Sequence, residues 1–196
     1  MHNFEEDESI RLPILLKDGT NAEFKLNYIE IEKEAFYVVQ FGKIKEDALV
    51  RIHSACNLAH IFGSLRCDCK EQLDEALLRI VKNGSGLLIY CINHEGRSVG
   101  PKNHVRVYKM QDTGLDTVDS YIALGLPIDA RDYSNAIKII KRYGLHKIKL
   151  LTNNPKKLEA FNNMNIEVER IPLRANLSKY NESQLKVKKE KLGHLL

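Results

Sequence analysis

Three of the four cysteines in this 196-residue chain fall within the stretch "HSACNLAHIFGSLRCDC", at Cys56, Cys67 and Cys69. Ten residues separate the first two, and a single aspartate separates the second pair. Thiolates suit zinc, and three protein ligands with one open position is the pattern of a catalytic zinc, whereas a structural zinc takes four. A disulfide between Cys67 and Cys69 is disfavoured, because residues two apart on an extended segment are poorly placed to pair. His60 or His53 would be able to complete a closed tetrahedron. Cys91, inside the apolar run "LLIYCI", reads as a small core residue.

Three further segments carry candidate chemistry. "NHEGRSVGPKN", residues 93 to 103, follows an apolar run and contains Gly96, Gly100 and Pro101, so a loop is expected. Its Arg97 offers a planar fork to phosphate, although no P-loop or dinucleotide-binding glycine motif occurs anywhere in the chain. "DARDYS" sets Asp129 and Arg131 two apart, on one side of an extended segment, with Asp132 free to cap a helix. "LLTNNPKK" runs from a strand into a helix start, where Thr152, open backbone N–H groups and Lys157 make an anion site. Each has a plainer alternative: a surface loop, an exposed ion pair, and helix capping by Asn153 or Asn154.

The elements that must position these residues divide into two runs. From Leu12 to Ser54 the pattern is strand-like, with "AEFKLNYIEIE" alternating apolar and polar residues and "AFYVVQFGKI" rich in β-branched and aromatic ones. After Cys69 helices and strands alternate. "DCKEQLDEALLRIVKNG" is a helix with Asp68 at its N-cap and Gly84 at its end; "GLLIYCI" is a buried strand; "SNAIKIIKRYG", "KIKLLT", "NNPKKLEAFNNM" and "IEVERIPL" follow as helix, strand, helix and strand. The expected fold is α/β with α+β character: N-terminal antiparallel strands leading into a mixed sheet flanked by helices. One domain over 1–196 accounts for the chain, with strands to 47, a core over 48–175 and a tail over 176–196.

Composition sets limits. Hydrophobic residues are 43% and charged residues 29%, ordinary for a globular protein, and no apolar run reaches the length of a membrane span. "MHNFEEDESIRLP" lacks the basic and apolar regions of a secretory signal, so a cytoplasmic location is expected, where clustered cysteines serve metals or catalysis more often than disulfides. The net charge of +4 is concentrated near "KVKKEKLGH", read as a solvated terminal helix. Such an excess also suits a phosphorylated ligand.

From about Leu49 onward the chain resembles the GTP cyclohydrolase II family. The residues that carry this are "VRIHSAC", "FGSLRCDC", "EQLDEAL", "HEGR", "RVYKMQDTGLDTV", "ALGLPIDARDY", "KIKLLTNNPKK" and "KLGH". The resemblance implies a zinc-dependent hydrolase of riboflavin biosynthesis that opens the imidazole ring of GTP, releases formate and pyrophosphate, and leaves a diamino-ribosylamino-pyrimidinone phosphate. It implies one Zn²⁺ per subunit on Cys56, Cys67 and Cys69, and Mg²⁺ with the substrate triphosphate. Tyr108 would assist proton transfer, Asp129 would accept a proton, and Arg131 would attack or stabilise the α-phosphate. Arg51, His53, Ser54, Gln72, Glu95, Gly96, Arg97, Thr117, Thr152 and Lys157 would bind the nucleotide. A homodimer is implied; a membrane or nucleic-acid partner is not.

The sequence departs from the family pattern around the same pocket. Ala55 stands where glutamate is usual, His60 where an acid is, and Lys70 where glycine is; Ser98, Pro101, Lys102 and His104 alter the loop. Two alternatives stay open: a paralogue turning the same zinc chemistry on another nucleotide or a partial reaction, and a non-catalytic zinc or nucleotide-binding module.

Overall fold

The computed structural model describes residues 9–173 and 178–195; the acidic first eight residues and the first two of the expected tail lie outside them. In chain order the elements are β1 (Ile10–Leu15), β2 (Asn21–Ile31), β3 (Glu34–Phe41), β4 (Ala48–Ser54), α1 (Asn57–His60), α2 (Cys69–Lys82) and β5 (Gly86–Cys91). Then come α3 (Glu95–Ser98), α4 (Gly100–Asp112), α5 (Thr117–Ala123), α6 (Ser134–Arg142), β6 (Lys147–Leu151), α7 (Pro155–Glu159), β7 (Glu167–Ile171) and α8 (Glu182–Glu190).

Among the described residues the seven strands join one sheet in the order β1-β2-β3-β5-β4-β6-β7. The first three pair antiparallel and hand over to β5, also antiparallel. From β5 onward the pairing is parallel. This is the expected α/β fold with a mixed sheet.

Side-chain alternation explains how the sheet is held. In β4 and β5, Val50, Ile52, Leu87 and Ile89 enter a core with Ile137, Ile139 and Ile140 of α6. Leu49 and Leu88 point the other way, into a second core with Ala76, Leu78 and Ile80 of α2. The long β2 crosses between them: Phe24 packs in the second core and Ile29 in the first. Strand β4 is buried on both faces, so its polar residues Arg51 and His53 lie inside the protein at 4% and 2% exposure. Burying such groups is costly unless they are bonded or serve a function.

Most helix boundaries follow the sequence signals. α2 gives way to Gly84 at φ +79°, and α6 is entered through Asp132, whose carboxylate accepts from the Ser134 N–H and hydroxyl. The segment after His94 differs from expectation. Only a short turn separates it from α4, which starts at Gly100 with Pro101 in its first turn. Proline there lacks only an N–H that the first turn would leave unpaired, so it opens a helix rather than breaking one. The parallel strands β4, β5 and β6 all end at the same edge of the sheet. The segments that follow them, 54–57, 92–98 and 152–155, meet there, in the position where open α/β sheets bind ligands.

Candidate active site

The three cysteines converge at that edge. Cys56 follows β4, Cys69 is the first residue of α2, and the Sγ atoms of Cys56, Cys67 and Cys69 lie within 4.8 Å of one another. All are free thiols, and the Cys56 and Cys67 sulfurs are 3.7 Å apart. Crowding makes their protons unequal: hydrogen bonding among the three sulfurs lowers the Cys67 thiol and raises that of Cys56. Among the described residues this is the group with metal-ligand spacing, and three soft sulfur donors fit zinc.

Neither histidine considered as a fourth ligand joins it. His53 and His60 face each other through their Nε2 atoms at 3.1 Å, and His60 Nδ1 meets the Tyr90 hydroxyl at 2.8 Å. Cys91 is buried in the core, its thiol pushed up to about 12 by burial. Asp68 occupies the N-cap position of α2 but does not cap it. One carboxylate oxygen accepts from Lys188 Nζ and the other from Gln72 Nε2, both at 2.5 Å.

Tyr108 of α4 lines the same cavity. Arg66 holds it there: the guanidinium lies 4.3 Å above the ring and donates to the Tyr108 carbonyl, to Gln111 and to Asp112. The Tyr108 hydroxyl is buried and forms no hydrogen bond. Burial and the nearby cysteine sulfurs push its pKa upward, so the phenol keeps its proton at neutral pH.

Around the thiols the cavity is cationic. It measures about 930 Å³ including its open mouth and is lined by Arg51, Arg97, Arg131, Lys157 and Lys188 against one carboxylate among the described residues, Asp68. Arg51 donates to the Leu151 carbonyl and to Gln72 Oε1, and Lys157 donates to the Ile52 carbonyl at 2.7 Å. Burial first, then Arg51 and Arg131, holds the Lys157 ammonium well below its usual range. Thr152 lines the cavity too, its hydroxyl accepting from the Asn154 N–H, while Asn154 caps α7. Lys188 and Arg131 are paired with Asp68 and Asp129, but Arg51, Arg97 and Lys157 are held by carbonyls and neutral side chains, which leaves the cavity suited to an anion.

Arg97 sits on an unusual backbone. Gly96, Arg97 and Ser98 all have φ between +59° and +67°, a left-handed turn that L residues adopt at a cost. A Cβ at Gly96 would stand 2.8 Å from the His104 Cβ, so glycine is required there. The Tyr121 hydroxyl donates to the Gly96 carbonyl, and the Arg97 carbonyl accepts from Ala130.

Arg131 and Asp129 form a two-pronged pair at 2.8 and 2.7 Å. Arg131 lines the cavity and reaches Ser54 Oγ at 3.4 Å; Asp129 lies behind it, outside the lining. Burial alone would raise the Asp129 pKa, but the Arg131 bonds outweigh it and hold the carboxyl at about 2. A carboxylate depressed in the folded state stabilises above its unfolded pKa, near 4, and loses that contribution as pH falls to about 2. Asp129→Asn should therefore cost on the order of 2 kcal/mol at pH 7, with the difference from wild type closing between pH 4 and pH 2 in urea titrations.

Of the residues singled out from sequence, Arg51, His53, Ser54, Gln72, Gly96, Arg97, Tyr108, Thr117, Arg131, Thr152, Lys157 and the three cysteines line one cavity. Glu95 does not: it accepts from the Asn57 N–H at 2.6 Å and meets His104 Nδ1 at 2.5 Å, bracing the wall. The unusual residues mostly pair with one another or with neighbours. His104 takes Glu95, His60 takes His53 and Tyr90, and Lys70 takes Asp74. Sequence reasoning did not assign His94, Gln184, Lys188 and His194, which also line the cavity; "HEGR" and "KLGH" were available signals for the two histidines, and no motif pointed to Gln184 or Lys188.

Residues 18–172 match the family model described as GTP cyclohydrolase II. The chain is 45% identical over 157 residues to the riboflavin biosynthesis protein RibBA of Aquifex aeolicus, covering 79% of this chain and 39% of that protein. It is 47% identical over 152 residues to RibBA of Bacillus cytotoxicus, covering 77% and 38%. With RibBA of Salinispora tropica it shares 40% over 187 residues, covering 95% and 46%. The chain thus spans less than half the length of these relatives.

Proposed function

This chain belongs to the GTP cyclohydrolase II family, and from that premise we propose that it opens the imidazole ring of GTP, releasing formate and pyrophosphate, in riboflavin biosynthesis. One observation carries the reading: a thiol trio and a buried phenol share a cavity with five cationic side chains.

Cys56, Cys67 and Cys69 would hold the zinc, which when bound lowers the pKa of a water to about 7 and so supplies a nucleophile at neutral pH. Tyr108, kept protonated, delivers a proton to the imidazole nitrogen as its bond to C8 breaks. Arg51, Arg97, Lys157 and Thr152 hold the triphosphate, with Mg²⁺ as its counter-ion. Arg131 is buried, yet Tyr133 and Asp129 keep its guanidinium above its usual pKa. A locked cation is a poor nucleophile, so its role is to stabilise charge at the α-phosphate while water adds to the phosphorus and pyrophosphate leaves. Asp129 accordingly fixes Arg131 rather than accepting a proton. The same reading carries a single domain, a cytoplasmic location and a homodimer.

Incubating the zinc-loaded protein with GTP and Mg²⁺ should yield formate and pyrophosphate in equal amounts. A second reading, the same chemistry on another nucleotide, is favoured by one feature: guanine offers N–H donors, yet position 55 is alanine and both Glu95 oxygens are engaged. A panel of nucleoside triphosphates, read by mass spectrometry, separates the two. If GTP persists while another nucleotide is opened, the second reading replaces the first.

A further inference from the structure

The C-terminal helix is not simply solvated. Leu185 and Val187 are buried, and Lys188 is buried on the Asp68 carboxylate that lies between Cys67 and Cys69. Past the helix the chain is tied down again: the Leu195 N–H donates to the Asn153 carbonyl, and Arg170 reaches both Asn153 Oδ1 and the Leu195 carbonyl. Lys191 adds bonds to Asp116 and Asp119 beside α5. Gln184, Lys188 and His194 thereby become part of the cavity wall.

Gln184 stands out in that wall. Its side-chain oxygen is buried with no hydrogen-bond partner, although it lines a cavity rich in donors. Several other lining acceptors are engaged: Gln72 Oε1 takes Arg51, Gln111 Oε1 takes Arg66, and both Asp68 oxygens are occupied, while His94 Nε2 and the Tyr108 hydroxyl are the other lining polar atoms buried without a partner among the described residues. A buried acceptor left unpaired costs about as much as a lost hydrogen bond, so such groups usually await a partner. Gln184 is also well placed for a nucleobase. It precedes Lys188 by four residues, hence lies on the same helix face about 6 Å along the axis. Lys188 itself reaches the aspartate between two of the thiols, and Gln184 lines the same cavity as all three.

We propose that the segment 182–195 is a wall of the substrate site and that Gln184 accepts a hydrogen bond from an N–H on the base of the bound nucleotide. It supplies an acceptor where Ala55 has none and where Glu95 is engaged. This inference rests on the nucleotide-hydrolase reading, and the test separates the two. Steady-state kinetics of the zinc-loaded full chain with GTP should show Gln184→Leu raising KM about tenfold, the worth of one hydrogen bond to a site closed from water, with kcat within about twofold. Gln184→Glu keeps an acceptor and should retain most of the affinity, which a purely structural loss of the glutamine would not explain. A Gln184→Leu protein with wild-type KM, beside a wild type that opens GTP, overturns the inference alone. A wild type that does not open GTP fails the hydrolase reading and takes the inference with it.

Discussion

Cys67→Ser yields a folded protein that retains no zinc after dialysis and releases no formate from GTP. The expected loss of metal affinity exceeds the roughly 100-fold typical of removing a group that merely orients a ligand. The Cys67 sulfur lies 3.7 Å from that of Cys56 and within 4.8 Å of that of Cys69, so its removal leaves two of the three converging donors. A serine hydroxyl in its place stays protonated at neutral pH and is a hard oxygen donor where zinc prefers sulfur. Metal content by elemental analysis, taken with formate release on the same sample, checks this. A zinc-free Cys67→Ser enzyme with full activity refutes the ligand assignment.

Arg131→Ala should slow pyrophosphate release by about 10³, the scale found when a charge-stabilising group is removed from a phosphate-transfer site. Arg131→Lys should recover little. The guanidinium donates from Nε and Nη2 to the two Asp129 oxygens while Nη1 points to Ser54, and an ammonium cannot reproduce that fork. Formate and pyrophosphate measured separately test the assignment. Pyrophosphate release that is unchanged in Arg131→Ala removes the residue from the phosphate step.

Much of this was legible before any coordinates. The strands declared themselves through alternation in "AEFKLNYIEIE" and the β-branched run of β3, and the cysteines through residue type and spacing in a chain with only one other. What local pattern could not carry was decided by distant partners. Lys188 looks like one more charge in a basic run, and its burial depends on Asp68, 120 positions away. Glu95 sits in a motif that suggests nucleotide contact, yet the Asn57 N–H and His104 claim both its oxygens. Helix α4 was hidden because Gly100 and Pro101 are read as breakers, although the same proline is favoured in a first turn. The spacing of Asp129 and Arg131 suggests that both face one pocket, but in the packed structure Arg131 lines the cavity and Asp129 lies behind it, bonded to the guanidinium.

Strand β4 threads the cavity-lining residues Arg51 and His53 between two hydrophobic layers. Warming cannot loosen them without melting the middle of the sheet, so thermal inactivation should coincide with cooperative unfolding rather than precede it. The terminal helix is held outside that sheet, by buried Leu185 and Val187 and by the Lys188 and Lys191 ion pairs.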